Sequence, residues 1–206
     1  MADRRGEAGL LGVAITGDAF NAFVFLEISS LSTYVLIAMG NDRRALVASF
    51  QYLILGTIGA TFYVIGVGIL YVLTGSLNIA DIATRLAPVA SGDIRPVVTA
   101  LAFITVGISL KCALFPLHAW LPDAHSEGPT PMSAVLSGLL LNVALYALVR
   151  VKMLVDGSLH TNLAGHMMMG FGLLSFLVAG LFLHRQHDVK RMFSYSSIEH
   201  MGFMTF

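Results

Sequence analysis

This sequence of 206 residues has few charged side chains, a single cysteine and no net charge. Charged residues make up 12% of the chain and hydrophobic residues 56%, with a mean hydropathy of +0.80. A soluble domain carries roughly 25% charged residues, so this chain cannot cover a surface that faces water. Disorder is excluded as well, because it requires low hydrophobicity and high charge. The composition indicates an integral membrane protein.

Two further absences narrow the function. Lys and Arg total 12 and Asp and Glu total 12, so the chain has no basic surface for a nucleic-acid partner. The single cysteine excludes a disulfide framework and any multi-cysteine metal or iron–sulfur site within this chain. We therefore expect no resident cofactor or metal.

The apolar runs predict an all-α fold, a polytopic bundle of transmembrane helices forming one membrane domain over residues 1–206. A span takes about 20 mostly apolar residues, and no run shows the two-residue alternation of a membrane barrel. Residues 9–16 are apolar but too short to span, and residues 75–95 have the composition of a polar connector. The predicted spans are residues 21–40, 46–74, 96–114 with a break extending to 126, 132–151, 166–182 and 192–206.

Two ionisable residues lie well inside predicted spans, where each charge costs about 2.5–3.5 kcal/mol on insertion scales. They are Glu27, in AFVFLEISSLSTYVL, and Lys111, in ALAFITVGISLKCALFP. Glu27 could instead reach headgroup water from a helix end, and Lys111 could snorkel to an interface. Pro116 argues against snorkelling, because a proline five residues after Lys111 breaks the helix. Irregular backbone at membrane depth indicates a site lined by protein or water.

The segment PLHAWLPDAHSEGPTP follows this break directly and is predicted to be a re-entrant or half-helix segment. It contains His118 and His125, which suit proton relay because an unperturbed imidazole titrates near pH 6.5. A metal site is the alternative for these residue types, although their spacing matches no standard zinc pattern.

Three polar residues lie in later spans. Asn142 is in mid-span and could be an interhelical hydrogen-bonding residue. Glu199 and His200 follow the basic turn HRQHDVKR.

Burial disfavours a charged lysine, and a nearby carboxylate restores the charge. Moving the carboxylate would switch a buried lysine between proton donor and acceptor, so these residues predict a proton-conducting element that needs no cofactor.

Three stretches carry a resemblance to a known family. The run KCALFPLHAWLPDAH with the following GPTPMSAVLSG, the run GDAFNAFVFLEISSLSTY and the run HDVKRMFSYSSIEHMG occur here in the family's order. They resemble the proton-translocating membrane subunits of respiratory complex I and of the Mrp-type cation/proton antiporters. The stretch SSIEHMG is most similar to the F-type subunits of group-4 membrane-bound hydrogenases, hydrogenase-4 and formate hydrogenlyase. The chain resembles the central portion of such a subunit.

The resemblance implies roles for individual residues. Glu27 and Lys111 match the family's glutamate and its lysine on the broken helix, a pair whose spacing tunes proton affinity. His118 and His125 match the histidines around the break. Lys190 matches the lysine of the basic turn before the later helix.

Asn142 departs from the family pattern, since many members have a lysine at this position. Asparagine cannot titrate, so a relay here would pass through water, histidines or other groups. Three functions remain open: a non-redox, proton-translocating subunit of a complex-I-related oxidoreductase, a subunit of an Mrp-type antiporter for protons or Na⁺, and a non-conducting membrane scaffold. Each implies the lipid bilayer and other membrane subunits as partners, in a prokaryotic inner membrane.

Overall fold

The computed structural model describes residues 2–40, 42–90, 92–159 and 162–206, and within these ranges the chain is helical with no strand. The predicted all-α class is confirmed. The elements are α1 (Ala2–Ile15), α2 (Ala19–Ala38), α3 (Arg43–Thr74), α4 (Ile79–Ala90), α5 (Ile94–Lys111), α6 (Trp120–Glu127), α7 (Thr130–Val135), a π-helical turn (Leu136–Leu140), α8 (Leu141–Leu159), α9 (Leu163–Leu183) and α10 (Val189–Thr205).

Five helical segments of the described chain are long and apolar enough to cross a membrane. They coincide with the first five predicted spans and comprise Ala19–Ala38, Arg43–Thr74, Ile94–Lys111, Thr130–Asp156 and Ala164–Leu183. The sixth predicted span, 192–206, falls on α10, a helix of 17 residues that is not among the five. Its role as a span stays a prediction.

Two helices formed where the hydropathy pattern predicted none. The helix α1 covers residues 9–16 almost completely and packs along α2. The helix α4 lies within the predicted connector 75–95 and is amphipathic, with Ile82 and Leu86 fully buried and Thr84 and Arg85 exposed. Apolar residues four positions apart share one face of a helix. Burial of that face against neighbouring helices stabilises a segment that is too short to span.

Glycines bring α3 and α5 into close contact. A Cβ atom on Gly107 would lie 2.6 Å from the carbonyl oxygen of Gly59 and 2.8 Å from the amide nitrogen of Tyr63. Farther along the same contact, a Cβ atom on Gly66 would lie 2.6 Å from the carbonyl oxygen of Ala100. Helices in a membrane associate through such small residues, which let the backbones approach. This contact fixes the position of α5 and of the residue at its carboxyl end, Lys111.

Candidate functional site

Lys111 and Glu27 form an ion pair between α5 and α2, in which the lysine is buried and the glutamate half-buried. The Lys111 Nζ atom donates to Glu27 Oε1 at 3.0 Å and to Ser30 Oγ at 2.6 Å. The lysine side chain is 4% exposed and the glutamate side chain 23%. Glu27 and Ser30 are three residues apart, so they share one face of α2. The two ionisable residues predicted from the sequence therefore meet, and each supplies the partner that a charge in a span requires.

Lys111 is the last residue of α5, because the chain leaves the helix directly after it. Ala113 has a φ of 53°, a left-handed conformation that no continuous right-handed helix contains. The Leu110 carbonyl oxygen accepts hydrogen bonds from the Ala113 amide at 3.1 Å and from the Trp120 indole at 3.0 Å. The predicted break near Pro116 is confirmed, but it begins several residues before the proline, and the second half-helix α6 begins at Trp120.

An aromatic column joins the ion pair to the second half-helix. The Tyr34 ring on α2 lies edge-on against the Tyr52 ring on α3, with the centroids 4.6 Å apart and an interplanar angle of 82°. The Tyr52 ring stacks on Trp120 of α6 at 4.1 Å and 10°. Both hydroxyls are buried. The column therefore ties the helix that carries Glu27 to the half-helix that follows the break.

The two predicted histidines take different positions around α6. His118 lies in the irregular segment before α6, half-buried, with its ring 5.4 Å from that of Phe115. His125 lies near the end of α6 and is buried, and neither ring nitrogen has a hydrogen-bond partner among the described residues. Its backbone carbonyl accepts from the Ser133 hydroxyl at 2.8 Å. The bond from Ser133 thus fixes the backbone at His125, while both nitrogens of the buried ring remain without a partner among the described residues.

The first turn of α10, which holds the predicted lysine of the basic turn, binds the carboxyl end of α6. Lys190 Nζ donates to the carbonyl oxygen of Gly128 at 3.0 Å and to that of Ser126 at 3.4 Å. Arg191 pairs with Asp123 at 2.5 Å. Carbonyl groups at a helix carboxyl end are left without intrahelical partners and attract cations. Lys190 therefore fixes α10 against the broken helix.

Four of the predicted site residues line one groove between the end of α6, α7, the π-helical turn, the start of α8 and α10. The groove has a volume of about 560 Å³. Its wall is largely apolar but includes several hydroxyls and titratable groups, and the predicted residues in it are His125, Asn142, Lys190 and His200. Glu199, next to His200 on α10, is half-buried and is not part of this wall. Six of the predicted residues thus form two groups, the ion pair and the groove, whereas His118 and Glu199 belong to neither.

Asn142 is the second residue after the π-helical turn. Its side-chain amide donates to the Gly138 carbonyl oxygen at 2.7 Å, and the side chain is exposed in the groove. This intrahelical bond explains how a polar residue is accommodated in a span, in place of the interhelical bond that the sequence suggested. Single π-helical turns inside α-helices are frequent at functional sites.

No group of three or more His, Cys, Asp or Glu side chains able to hold a metal ion occurs within the part of the chain that the structure describes.

Several residues of the site were not predicted. Ser30 could have been identified from its spacing to Glu27, since positions three apart are neighbours on a helix. Tyr52 and Trp120 come from distant segments, and no local pattern predicts their contact.

Comparison with known proteins gives matches over nearly the whole chain. A family model for the membrane region, "NADH:quinone oxidoreductase/Mrp antiporter, TM", matches residues 16–206. The chain is 45% identical over 204 residues to NADH-quinone oxidoreductase subunit N of Desulforudis audaxviator (strain MP104C), a match that covers 96% of this chain and 39% of that protein. It is 44% identical over 189 residues to the hydrogenase-4 component F homolog of Methylacidiphilum infernorum (isolate V4), covering 89% and 40% respectively.

More distant matches agree with these. The chain is 34% identical over 204 residues to a Na(+)/H(+) antiporter subunit of Alkalihalophilus pseudofirmus (strain ATCC BAA-2126 / JCM 17055 / OF4), covering 96% of this chain and 39% of that protein. Among solved structures, a chain of the membrane-bound sulfane sulfur reductase, an archaeal respiratory membrane complex, matches with a TM-score of 0.90 and 36% identity, covering 96% of this chain and 40% of that one. The chain spans about 40% of the length of the relatives it matches.

Proposed function

Because this chain belongs to the NADH:quinone oxidoreductase/Mrp antiporter membrane family, we propose that it translocates protons as an antiporter-like subunit of a complex-I-related oxidoreductase. The observation that carries the proposal is the contact of 3.0 Å between the buried Lys111 ammonium and the Glu27 carboxylate. Redox chemistry falls to partner subunits, and this chain contributes a proton pathway through a multi-pass membrane domain. Its bacterial relatives support a prokaryotic inner membrane as the location.

The ion pair controls where the proton is held. With Glu27 ionised and 3.0 Å away, the Lys111 ammonium has a counter-charge in a place with little water. When Glu27 moves away or takes up a proton, that counter-charge is lost and the buried ammonium becomes costly. Lys111 then gives up its proton, and the return of the glutamate carboxylate lets it bind another. A conformational change that separates the two groups is converted in this way into proton release.

The groove supplies the second part of the proposed pathway. The half-helix α6 starts at Trp120, which donates to the carbonyl of the residue before Lys111, and carries His125 at its other end. The free ring nitrogens of His125 can pass a proton onward to the groove that contains Asn142 and His200. Because Asn142 cannot titrate, this step uses imidazoles and hydroxyls or water in place of a second lysine.

The proposal has two forms, NADH:quinone oxidoreductase-like and hydrogenase-linked, and one related function competes with it. The hydrogenase-linked form is supported by the 44% identity to a hydrogenase-4 component F homolog, against 45% to a subunit N for the other form. An Mrp-type antiporter subunit for Na⁺ and protons is supported by the 34% identity to a Na(+)/H(+) antiporter subunit. Neighbouring genes separate them, since hydrogenase subunits accompany the hydrogenase-linked form and small Mrp-type membrane subunits accompany the antiporter. The buried pair argues against a non-conducting scaffold, which has no use for a desolvated charge.

The experiment is proton uptake into sealed inverted vesicles that contain the assembled parent complex, followed with a dye that reports the pH gradient. We expect Lys111→Ala to abolish uptake while the complex still assembles and its partner subunits still transfer electrons. Lys152→Ala is the matched control, because Lys152 pairs with Asp156 on α8 and its side chain is 39% exposed. Uptake at the wild-type rate by Lys111→Ala would refute the proposal.

A further inference from the structure

Two tyrosine hydroxyls beside the ion pair have no hydrogen-bond partner among the described residues. Tyr34 on α2 is 5% exposed and Tyr52 on α3 is fully buried. Most buried side-chain polar groups in proteins are hydrogen-bonded, so each exception calls for an explanation. The Tyr63 hydroxyl, also on α3, donates to the Ala19 carbonyl oxygen at 3.0 Å and shows the usual arrangement.

The Tyr34 hydroxyl and the Lys111 head group both lie against Gly56 of α3. A Cβ atom on this glycine would overlap the Tyr34 hydroxyl oxygen and would lie 3.6 Å from Lys111 Nζ. Tyr34 follows Glu27 by seven residues, two turns along the same face of α2. Both tyrosine hydroxyls also lie near Ser30, which already binds the ammonium.

The chemistry of these groups is complementary. A lysine ammonium has three N–H donors, and two of them are used by Glu27 and Ser30. A phenol hydroxyl accepts a hydrogen bond from an ammonium and can also donate one to a neutral amine. The same oxygen therefore serves Lys111 before and after it releases a proton, which a carboxylate cannot do.

We propose that the Tyr34 and Tyr52 hydroxyls form a second docking position for the Lys111 head group, which it occupies when Glu27 releases it. This inference rests on the function proposed above. Glu27 takes up a proton and becomes neutral, and the ammonium turns to the hydroxyls while Ser30 stays within reach. It then gives its proton to the pathway, and the neutral amine accepts a hydrogen bond from a hydroxyl. Glu27 finally transfers its own proton to that amine, which restores the ammonium, the carboxylate and the ion pair, so that one proton has passed from Glu27 to the pathway.

The aromatic column gives the second position a fixed place. Tyr52 stacks on Trp120 at 4.1 Å, and Trp120 begins the half-helix that leads to His125. A head group docked at the hydroxyls therefore lies against an element that reaches the groove. A shift of α6 would move the hydroxyls through Trp120 and favour one position of the lysine over the other.

The test replaces the hydroxyls alone, with Tyr34→Phe and Tyr52→Phe in the assembled parent complex. Each change keeps the ring contacts and removes an oxygen that has no partner in the described structure, so we expect normal assembly. Proton uptake is measured between pH 6 and pH 9 beside Lys111→Ala and the control Tyr71→Phe, whose ring is 50% exposed at the end of α3. Two separate phenol variants keep the test usable if one fails to assemble.

We expect Tyr34→Phe to lower uptake about tenfold at neutral pH, the size of effect that a hydrogen bond to a charged group produces. The hydroxyl stabilises the charged lysine away from Glu27, so its loss shifts the alkaline limb of the rate profile to lower pH by about one unit. A purely structural defect would lower the rate equally at every pH. Tyr71→Phe keeps the wild-type profile.

Two results would overturn the inference, and they can be told apart. If Lys111→Ala abolishes uptake while both phenol variants keep the wild-type rate and pH profile, the second docking position is wrong and the proposed function stands. If Lys111→Ala itself pumps normally, the proposed function fails and the docking position fails with it. A uniform fall in rate without a pH shift also contradicts the inference.

Discussion

The close contact between α3 and α5 predicts a large effect of a single methyl group. In Gly107→Ala the new Cβ atom would lie 2.6 Å from the Gly59 carbonyl oxygen and 2.8 Å from the Tyr63 amide nitrogen. Both neighbours are backbone atoms, so no side-chain rotation relieves the overlap. The helices must separate by roughly half an ångström or more to restore ordinary van der Waals contact, and overpacking of this kind costs about 1–3 kcal/mol.

The separation would act on the ion pair, because Lys111 lies one helical turn beyond Gly107. A misplacement of about 1 Å can cost a hundredfold in a rate that depends on geometry. We therefore expect Gly107→Ala to lower the thermal midpoint of the solubilised complex and to lower proton uptake about tenfold or more. Both quantities are measured on the same preparation.

Gly68→Ala is the matched control. A Cβ atom on Gly68 of α3 would meet no atom within 4 Å, and alanine in place of glycine stabilises a helix by roughly 0.5–1 kcal/mol. The control should assemble and pump at least as well as the wild type. Equal stability and equal uptake in Gly107→Ala and Gly68→Ala would refute the conclusion that this contact sets the position of Lys111.

Three further predictions concern the second half-helix and the groove. Lys190→Met should lower the thermal midpoint of the complex and reduce uptake several-fold, since two carbonyl groups at the end of α6 lose their donor. Arg191→Gln should change stability by only about 0–1 kcal/mol, because its ion pair is partly exposed. Similar losses in both variants would contradict this. His125→Phe should fold normally yet lose uptake, because its ring nitrogens bind nothing that the described structure shows; full uptake would remove the histidine from the pathway. Asn142→Leu should keep assembly and slow uptake, since a largely apolar groove loses one of its polar side chains, and an unchanged rate would show that protons bypass this position.

The spans were predictable because a helix that crosses a membrane needs about 20 mostly apolar residues, and a hydropathy window of that length detects them. The helices α1 and α4 were missed because a hydropathy window of this length does not detect helices that are too short to span and pack against other helices. The helix α4 could have been predicted from its helical periodicity, since Ile82 and Leu86 are four residues apart and share the buried face. The glycines of the α3–α5 contact also recur on one face, at Gly59 and Gly66, and this spacing could have indicated a close helix contact.

The ion pair could be predicted in kind because a charge inside a span needs a partner, and Glu27 and Lys111 were the charges well inside apolar runs. That they meet is a property of the structure. Their roles, and those of the groove residues, stay predictions. The aromatic column depends on contacts between residues that are far apart in sequence, as with Tyr52 and Trp120, and local patterns carry no record of these.

The position of the helix break shows that the presence of a proline predicts a break but not the residue at which the helix ends. Proline removes a backbone donor and disturbs the preceding turn, which predicts a break near Pro116. The structure ends α5 at Lys111 because Ala113 adopts a left-handed conformation and Trp120 binds the Leu110 carbonyl. Tertiary contacts thus set the boundary, and they put the lysine at the carboxyl end of its helix, where a cation is favoured.

The central claim is that Glu27 and Lys111 act as one unit in proton translocation, and a double-mutant cycle on the uptake rate tests it most directly. The rate is measured for Glu27→Gln, for Lys111→Met and for both together in the assembled complex. We predict that each single change lowers uptake more than tenfold and that the double variant is no slower than the slower single one, because residues that work as a unit are strongly non-additive. Losses that simply multiply, or wild-type uptake in either single variant, would contradict the account.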